Sequence, residues 1–338
     1  LNFSLEGNSH VFRGRIPFVD LYLFPNEIGL FTIKFEMEDF GSGPMQELSG
    51  FIKAIRQPAT EIEIEGDKTT PGSFVEKHVL SNLPVDQHWN RYNPHFKTFT
   101  NIELKEQADQ ESIDPLLFDL GTVSEPCTTA GDGLFAPSPE YYERIMQENR
   151  ISVFKNWTAL CLFDTFTRIS TNLPDHYKVW EYDYFHIYIH VVYMKSFMYL
   201  TNTELSDVTK ATRQTAAIRD KFVEFINDYY LSHISYKFLP NLLYDNMVAA
   251  LEIGREVEMM EKKIQRINES FQKRREVTLN TALTIIIFLS LFSVITDLSS
   301  WLEELGLPHG WIYPYFSLII LAAIIAILIA ILIFKRKK

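Results

Sequence analysis

Asn280, Thr284, Phe288, Leu291 and Ile295 follow one another at three- and four-residue spacing, so a helix drawn through them places all five on one face. Two polar side chains followed by three apolar ones suit an ion path: a polar ring, then a constriction that closes by dewetting. A competing face carries Ser290, Ser293 and Asp297. Hydroxyls in an apolar helix more often bond their own backbone or a neighbouring helix than line a pore. Just beyond, Asp297, Ser299 and Ser300 offer either an oxygen-rich external mouth or a helix end with its cap.

Other residues suggest further chemistry. Lys273, Arg274 and Arg275, with Lys335, Arg336, Lys337 and Lys338, form a positive collar once several copies assemble, joined by Lys262, Lys263 and Arg266. Anionic lipid headgroups account for such a collar; the alternative is a barrier that holds cations back until a ligand rearranges the helices. His88, Trp89, Arg91, Tyr92 and His95 mix aromatic faces with cationic donors, as an adenine or phosphate site does, although the polarity of a loop explains them equally. His186 and His190 lie four apart, with neither the glutamate of a zinc-protease helix nor a third ligand nearby, so no metal site is assigned. No nucleophile–base pattern, P-loop or dinucleotide fingerprint appears, and the chain does not read as an enzyme.

The elements that position the first of these faces lie at the C-terminal end. Residues 277–296 and 315–334 are charge-free apolar runs of about the twenty residues a spanning helix needs. Between them, Trp301, Trp311 and Tyr313 suit a lipid–water boundary. In the second run, Ala322, Ala326 and Ala330 make a small-residue stripe for close packing. Basic residues precede the first run and follow the second, while the loop carries only Asp297, Glu303 and Glu304. The positive-inside rule then puts both ends in the cytoplasm, and the expectation is a multi-pass protein of the bacterial inner membrane.

The 338 residues carry a net charge of −11, all of it in the part before residue 277. An acidic body argues against nucleic-acid binding and is compatible with gathering cations. Cys127 and Cys161 form no CxxC pair and fit a reducing compartment. The N-terminal residues lack the pattern of a signal peptide.

Along the chain, Val19–Phe24 and 28–35 read as strands joined by a turn at Pro25-Asn26-Glu27, and 44–57 as a helix with Met45, Leu48, Phe51, Ile52 and Ile55 on one face. Ile62 and Ile64 suggest a strand, and residues 96–104 follow the aromatic stretch at 88–92. Residues 121–139 read as loop and 141–147 as a short helix at most. Residues 151–154 and 159–169 suggest a hairpin in the middle of a mixed sheet, and the aromatic stretch 176–202 a buried packing helix. Residues 205–236 form one helical arm, interrupted at Pro240. A second helix is expected from about Asn241 without a break into the first apolar run, roughly 55 residues or about 80 Å. Its stripe of Leu243, Met247, Ala250, Val257, Met260, Ile264, Ile267 and Phe271 approaches a coiled-coil seam and calls for partners.

The expected fold is therefore an α+β membrane protein: an N-terminal cytoplasmic α/β sensor domain over 1–203, a helical hairpin and stalk over 204–276, and a transmembrane hairpin over 277–338. This layout resembles the CorA-type two-span channels. Leu21-Tyr22-Leu23-Phe24-Pro25 with Ile28-Gly29-Leu30-Phe31 looks like that family's opening strands, Trp311, Tyr313 and Pro314 like its approach to the second span, and residues 335–338 like its basic tail. The resemblance implies a homo-oligomer, a pentamer, with the first spans lining the pore. The family's Gly-Met-Asn signature is absent, and its slot holds Leu298-Ser299-Ser300. That departure puts magnesium selectivity by the usual ring in question. Divergent relatives stand beside type III CRISPR systems as membrane effectors, so the resemblance also implies a nucleotide-like second messenger, such as an S-adenosylmethionine–AMP conjugate, acting on the cytoplasmic domain. The expected function is a ligand-gated ion channel in antiviral defence. The alternatives are a constitutive magnesium or other divalent-cation transporter and a membrane-anchored scaffold without permeation.

Overall fold

The structure is a computed structural model that describes residues 1–6, 11–37, 46–81, 96–104, 110–124, 136–171, 177–207 and 213–304. In chain order the strands are β1 (Asn2–Glu6), β2 (Val11–Arg15), β3 (Val19–Phe24), β4 (Ile28–Ile33), β5 (Glu36–Met37), β6 (Ile62–Ile64), β7 (Asp67–Thr69), β8 (Thr98–Leu104), β9 (Arg150–Ile151), β10 (Trp157–Cys161) and β11 (Thr165–Thr171). The helices are α1 (Gln46–Ile55), α2 (Pro71–Val75), α3 (Gln110–Thr122), α4 (Pro139–Asn149), α5 (Tyr177–Val179), α6 (Phe185–Asp207), α7 (Arg213–Tyr229), α8 (Phe238–Ala250) and α9 (Ile253–Glu304). The protein is a mixed α+β chain, β-rich towards its N-terminus, with one long apolar helix towards its C-terminus. It divides into two units, Leu1–Lys262 and Lys263–Lys338.

In the first unit an antiparallel sheet runs β5-β2-β1-β6-β7. The β6–β7 turn needs two left-handed residues, Glu65 (φ 54) and Gly66 (φ 88). Gly14 is required by close approach: a Cβ there would stand 2.2 Å from the Glu36 carbonyl oxygen. A second, mixed sheet runs β8-β11-β10-β9, with β8 parallel to β11 and the other pairs antiparallel. Side chains alternate across a strand, so β10 and β11 present two different faces. Leu160 and Ile169 face α3 and join Leu117, Phe118, α1 and the first sheet in one core. Trp157 and Phe166 face the other way, against Trp180 of the π-helical turn Trp180–Tyr184 that leads into α6.

The β3–β4 hairpin forms about the expected Pro25-Asn26-Glu27 turn, with Asn26 and Glu27 both left-handed (φ 65 and 62). It packs on α6, where Phe24 stacks on Tyr193 at 4.1 Å between ring centroids; just past β4, Lys34 meets Glu181 of the π-helical turn at 2.8 Å. Further along, α6 stacks Phe197 on Phe225 of α7 at 3.7 Å.

Several sequence expectations are corrected. The hairpin expected between 151–154 and 159–169 becomes two: β9 pairs with β10, and β10 turns at Leu162-Phe163-Asp164 into β11. The apolar Leu162 and Phe163 make that turn resemble continued strand. The helix expected at 141–147 is longer, because the Ser138 hydroxyl accepts from the Tyr141 amide and Pro139 takes the first position. Helix α3 occupies a stretch to which no element was assigned. The arm expected over 205–236 ends at Tyr229. Pro240 does not interrupt a helix but sits in the first turn of α8, where the amide it lacks would have no helical partner anyway. The break falls instead at Leu251-Glu252, where Glu252 is left-handed (φ 56). Much of the expected seam is covered within this single chain: Leu243, Met247, Val257, Met260 and Ile264 are buried in it.

In the second unit, α9 continues as helix through Glu304; the whole helix has 52 residues, about 78 Å at 1.5 Å per residue. Among the described residues it is the one helix long and apolar enough to cross a membrane, and none of its most apolar stretch is buried. The second expected span, 315–334, and the tail with Lys335, Arg336, Lys337 and Lys338 lie outside the described residues.

Candidate functional site

The apolar run 277–296 is exposed at every described side chain except the half-buried Phe288. Leu279, Leu283, Ile285, Ile286, Ile287, Leu289, Phe292 and Val294 each expose about half of their surface. Water would exact roughly 25 cal/mol for every square ångström of such surface, so this helix requires lipid or neighbouring helices around it. The hydroxyls within it bond back to their own helix. Thr284 donates to the Asn280 carbonyl at 2.7 Å, and Ser290 to that of Ile286 at 2.9 Å. A hydroxyl satisfied in this way is compatible with lipid.

Asn280, Thr284, Phe288, Leu291 and Ile295 all fall on α9, within about 80° of arc at 100° per residue. Asn280, Thr284 and Leu291 are exposed and Phe288 half-buried, while the side chain of Ile295 is outside the described residues. Asp297, Ser299 and Ser300 do not form a helix end, because α9 runs on to Glu304. No glycine or proline occurs between Thr296 and Glu304 to stop it. Ser300 donates to the Thr296 carbonyl at 3.1 Å, Asp297 is exposed, and the side chain of Ser299 is outside the described residues. Lys273, Arg274 and Arg275 are exposed on the turns before the run.

The ligand residues expected from sequence, His88, Trp89, Arg91, Tyr92 and His95, lie outside the described residues. His186 and His190 are engaged separately, His186 with the Tyr22 hydroxyl at 3.4 Å and His190 with the Tyr229 carbonyl at 3.0 Å. Among the described residues no group of three or more His, Cys, Asp and Glu side chains is placed to hold a metal ion. Cys161 is buried, and burial pushes its thiol up to about 12. Cys127 lies outside the described residues.

The structure brings together a cluster that the sequence did not suggest. Arg56 follows α1, Lys97 precedes β8, Asp164 sits in the β10–β11 turn, and Lys195 projects from α6. Asp164 receives Lys97 at 2.8 Å and Arg56 at 3.3 Å; Lys97 also donates to the Phe163 carbonyl at 2.8 Å. The ammoniums of Lys97 and Lys195 lie 4.6 and 4.4 Å from the centre of the Phe163 ring. Lys195 also donates to the Leu251 carbonyl at 2.9 Å and pairs with Glu256 at 2.5 Å. It thereby caps the end of α8 and ties down the first turn of α9. The side chains of Arg56, Lys97 and Lys195 are only 15%, 12% and 12% exposed.

Burial holds the Lys97 ammonium below the ordinary lysine range; Asp164 opposes this, while Lys195 and Arg56 add to it. Burial would raise the Asp164 carboxyl, but the Lys97 hydrogen bond and the charges of Lys97 and Arg56 outweigh it and hold the group below the usual carboxylate range. No local signal marks these residues, because they are separated by 41, 67 and 31 positions and only the tertiary fold unites them.

No family model matches this chain, and no curated protein or solved structure shows significant similarity to it.

Proposed function

We propose that the chain is a subunit of a homo-oligomeric, CorA-like membrane ion channel, gated by a small ligand bound to its N-terminal body. The carrying observation is the twenty-residue charge-free stretch 277–296, largely exposed on a continuous helix and preceded by Lys273, Arg274 and Arg275. A bilayer satisfies that surface, and the basic turn suits anionic headgroups on the cytoplasmic side. In the assembly, a pentamer on the CorA-like layout, Asn280 and Thr284 form a polar ring and Phe288, Leu291 and Ile295 an apolar constriction. Movement of the helices widens the constriction until water enters and ions follow. The ligand is a nucleotide-like second messenger, and the setting antiviral defence at the bacterial inner membrane, on the strength of the layout and the lost selectivity signature.

Ion flux from proteoliposomes of the purified full chain tests this, with and without magnesium and with adenine-nucleotide messengers, the S-adenosylmethionine–AMP conjugate among them. Flux that requires a messenger is the expected result. Magnesium flux without any messenger would make the protein a constitutive divalent-cation transporter, and silence throughout would leave a membrane-anchored scaffold.

A further inference from the structure

Among the described residues, the Arg56–Lys97–Lys195 cluster carries more positive than negative charge, although each cation also meets a backbone carbonyl, of Phe96, Phe163 and Leu251 respectively. Three cations meet two carboxylates among the described residues, Asp164 and Glu256, and all three cationic side chains are largely withdrawn from water. Unbalanced charge in such a place is costly, and an arriving anion relieves it. A further donor stands within electrostatic reach: the Tyr188 hydroxyl is buried, without a hydrogen-bond partner among the described residues, and it senses the charges of Asp164 and Arg56. Tyr188 and Lys195 are seven residues apart on α6, two turns along one side of the helix. The approach from solvent is open at the turn, where Phe163 is 45% exposed and the Asp164 side chain 44%.

We propose that this cluster is the binding site for a phosphate group on a small ligand. The ammoniums of Lys97 and Lys195, both within 4.6 Å of the centre of the Phe163 ring, offer more donors than the two oxygens of a carboxylate can take up, which favours a phosphate. The exposed Phe163 ring provides a face for a planar group carried by the same ligand. Occupancy has a mechanical consequence, because Lys195 is shared: the ammonium that meets the anion is the one that holds the Leu251 carbonyl and Glu256 across the α8–α9 elbow. An anion that draws Lys195 toward Phe163 loosens both contacts where Glu252 already occupies a left-handed conformation. The gating consequence rests on the channel reading above; the binding site does not.

The test uses the full chain in detergent or nanodiscs, with inorganic phosphate, adenosine 5′-monophosphate and uncharged adenosine as probes. Binding is read by calorimetry and by thermal shift, and elbow opening by hydrogen exchange at the amides of 252–257. Saturable binding of one or both phosphate probes is expected, with none of adenosine. Tighter binding of the nucleotide than of inorganic phosphate marks a nucleotide site, and the reverse order a site for free phosphate. Lys97→Met and Lys195→Met should each weaken binding at least tenfold. Lys195→Arg should retain it within a few-fold, and Lys221→Met, outside the site, should leave it unchanged. Melting curves without ligand verify that each variant is folded. Exchange at the elbow should quicken on binding in the wild type. No phosphate binding by the folded wild type, or unchanged binding in both methionine variants, overturns the site. Binding without elbow loosening overturns the coupling. Binding with loosening but no ion flux overturns the channel reading and keeps the site.

Discussion

An arginine at the middle of the exposed apolar run separates a membrane helix from any other use of it. Residues 277–296 span about 30 Å at 1.5 Å per residue, and Ile286 lies at the centre with 58% of its surface exposed. It stands about 160° around the helix from Phe288, away from the proposed pore face. At the centre of a spanning helix isoleucine contributes roughly −0.5 kcal/mol to insertion and arginine costs roughly 3, so Ile286→Arg should cost about 3.5 kcal/mol. At 1.4 kcal/mol per decade that is about a 300-fold shift in the insertion equilibrium. Thr278→Arg, one turn from Lys273–Arg275, should cost almost nothing, because its long side chain reaches the interface. The assay is the membrane-inserted fraction of each variant, measured by alkaline extraction and by glycosylation-site mapping in microsomes. Were the helix surrounded by water, replacing an exposed isoleucine would change stability by less than about 0.5 kcal/mol and would improve solubility. Equal insertion of Ile286→Arg and wild type would therefore refute the bilayer assignment.

Further expectations concern the pore face and the body. Phe288→Ser and Leu291→Ser remove the dewetting surface and should each produce a leaky, growth-impairing channel, with conductance recorded in planar bilayers. Wild-type conductance in both would exclude this face. His190 is half-buried, its ring donating to the Tyr229 carbonyl, and burial holds it below the ordinary value of 6.5. The unfolded chain then binds the proton more readily, so stability is lost as pH falls below 6.5 towards the folded-state value. Urea unfolding from pH 7.5 to 5 should show this decline, and His190→Gln, whose amide can still donate, should flatten it. Gly14→Ala drives a methyl group into the Glu36 carbonyl and the Phe3 ring. It should lower stability by roughly 1–3 kcal/mol, read as a reduced Tm.

Much of the architecture is written locally. Pro25-Asn26-Glu27 marks its turn, Leu48, Phe51 and Ile52 mark the buried face of α1, and the composition of 277–296 identifies the apolar helix without any knowledge of the rest. The failures have a common physical origin. The turn at Phe163-Asp164 has no glycine or proline; Asp164 holds it by gathering Lys97 from 67 residues upstream and Arg56 from further still. The elbow at Leu251-Glu252 lacks a glycine at the left-handed position, and Gly254 follows two residues too late to serve. Its freed carbonyl is satisfied by Lys195, 56 residues away. In both places a distant cation holds the backbone, at Glu252 in a left-handed conformation, which periodicity cannot register.

Those two misread places meet at one side chain. Lys195 approaches the Phe163 ring with the same ammonium that bonds Leu251 and Glu256. A backbone held against its preference by a single shared cation has a second state within reach, because any competing anion for that cation weakens the constraint. Such a competitor must bind one state more tightly than the other by the full difference between them. A charged ligand displacing charge-assisted hydrogen bonds worth about 1.5–3 kcal/mol each works on that scale. A neutral ligand at the same surface has no such leverage, so the charge of the ligand, rather than its size, should decide whether the elbow opens.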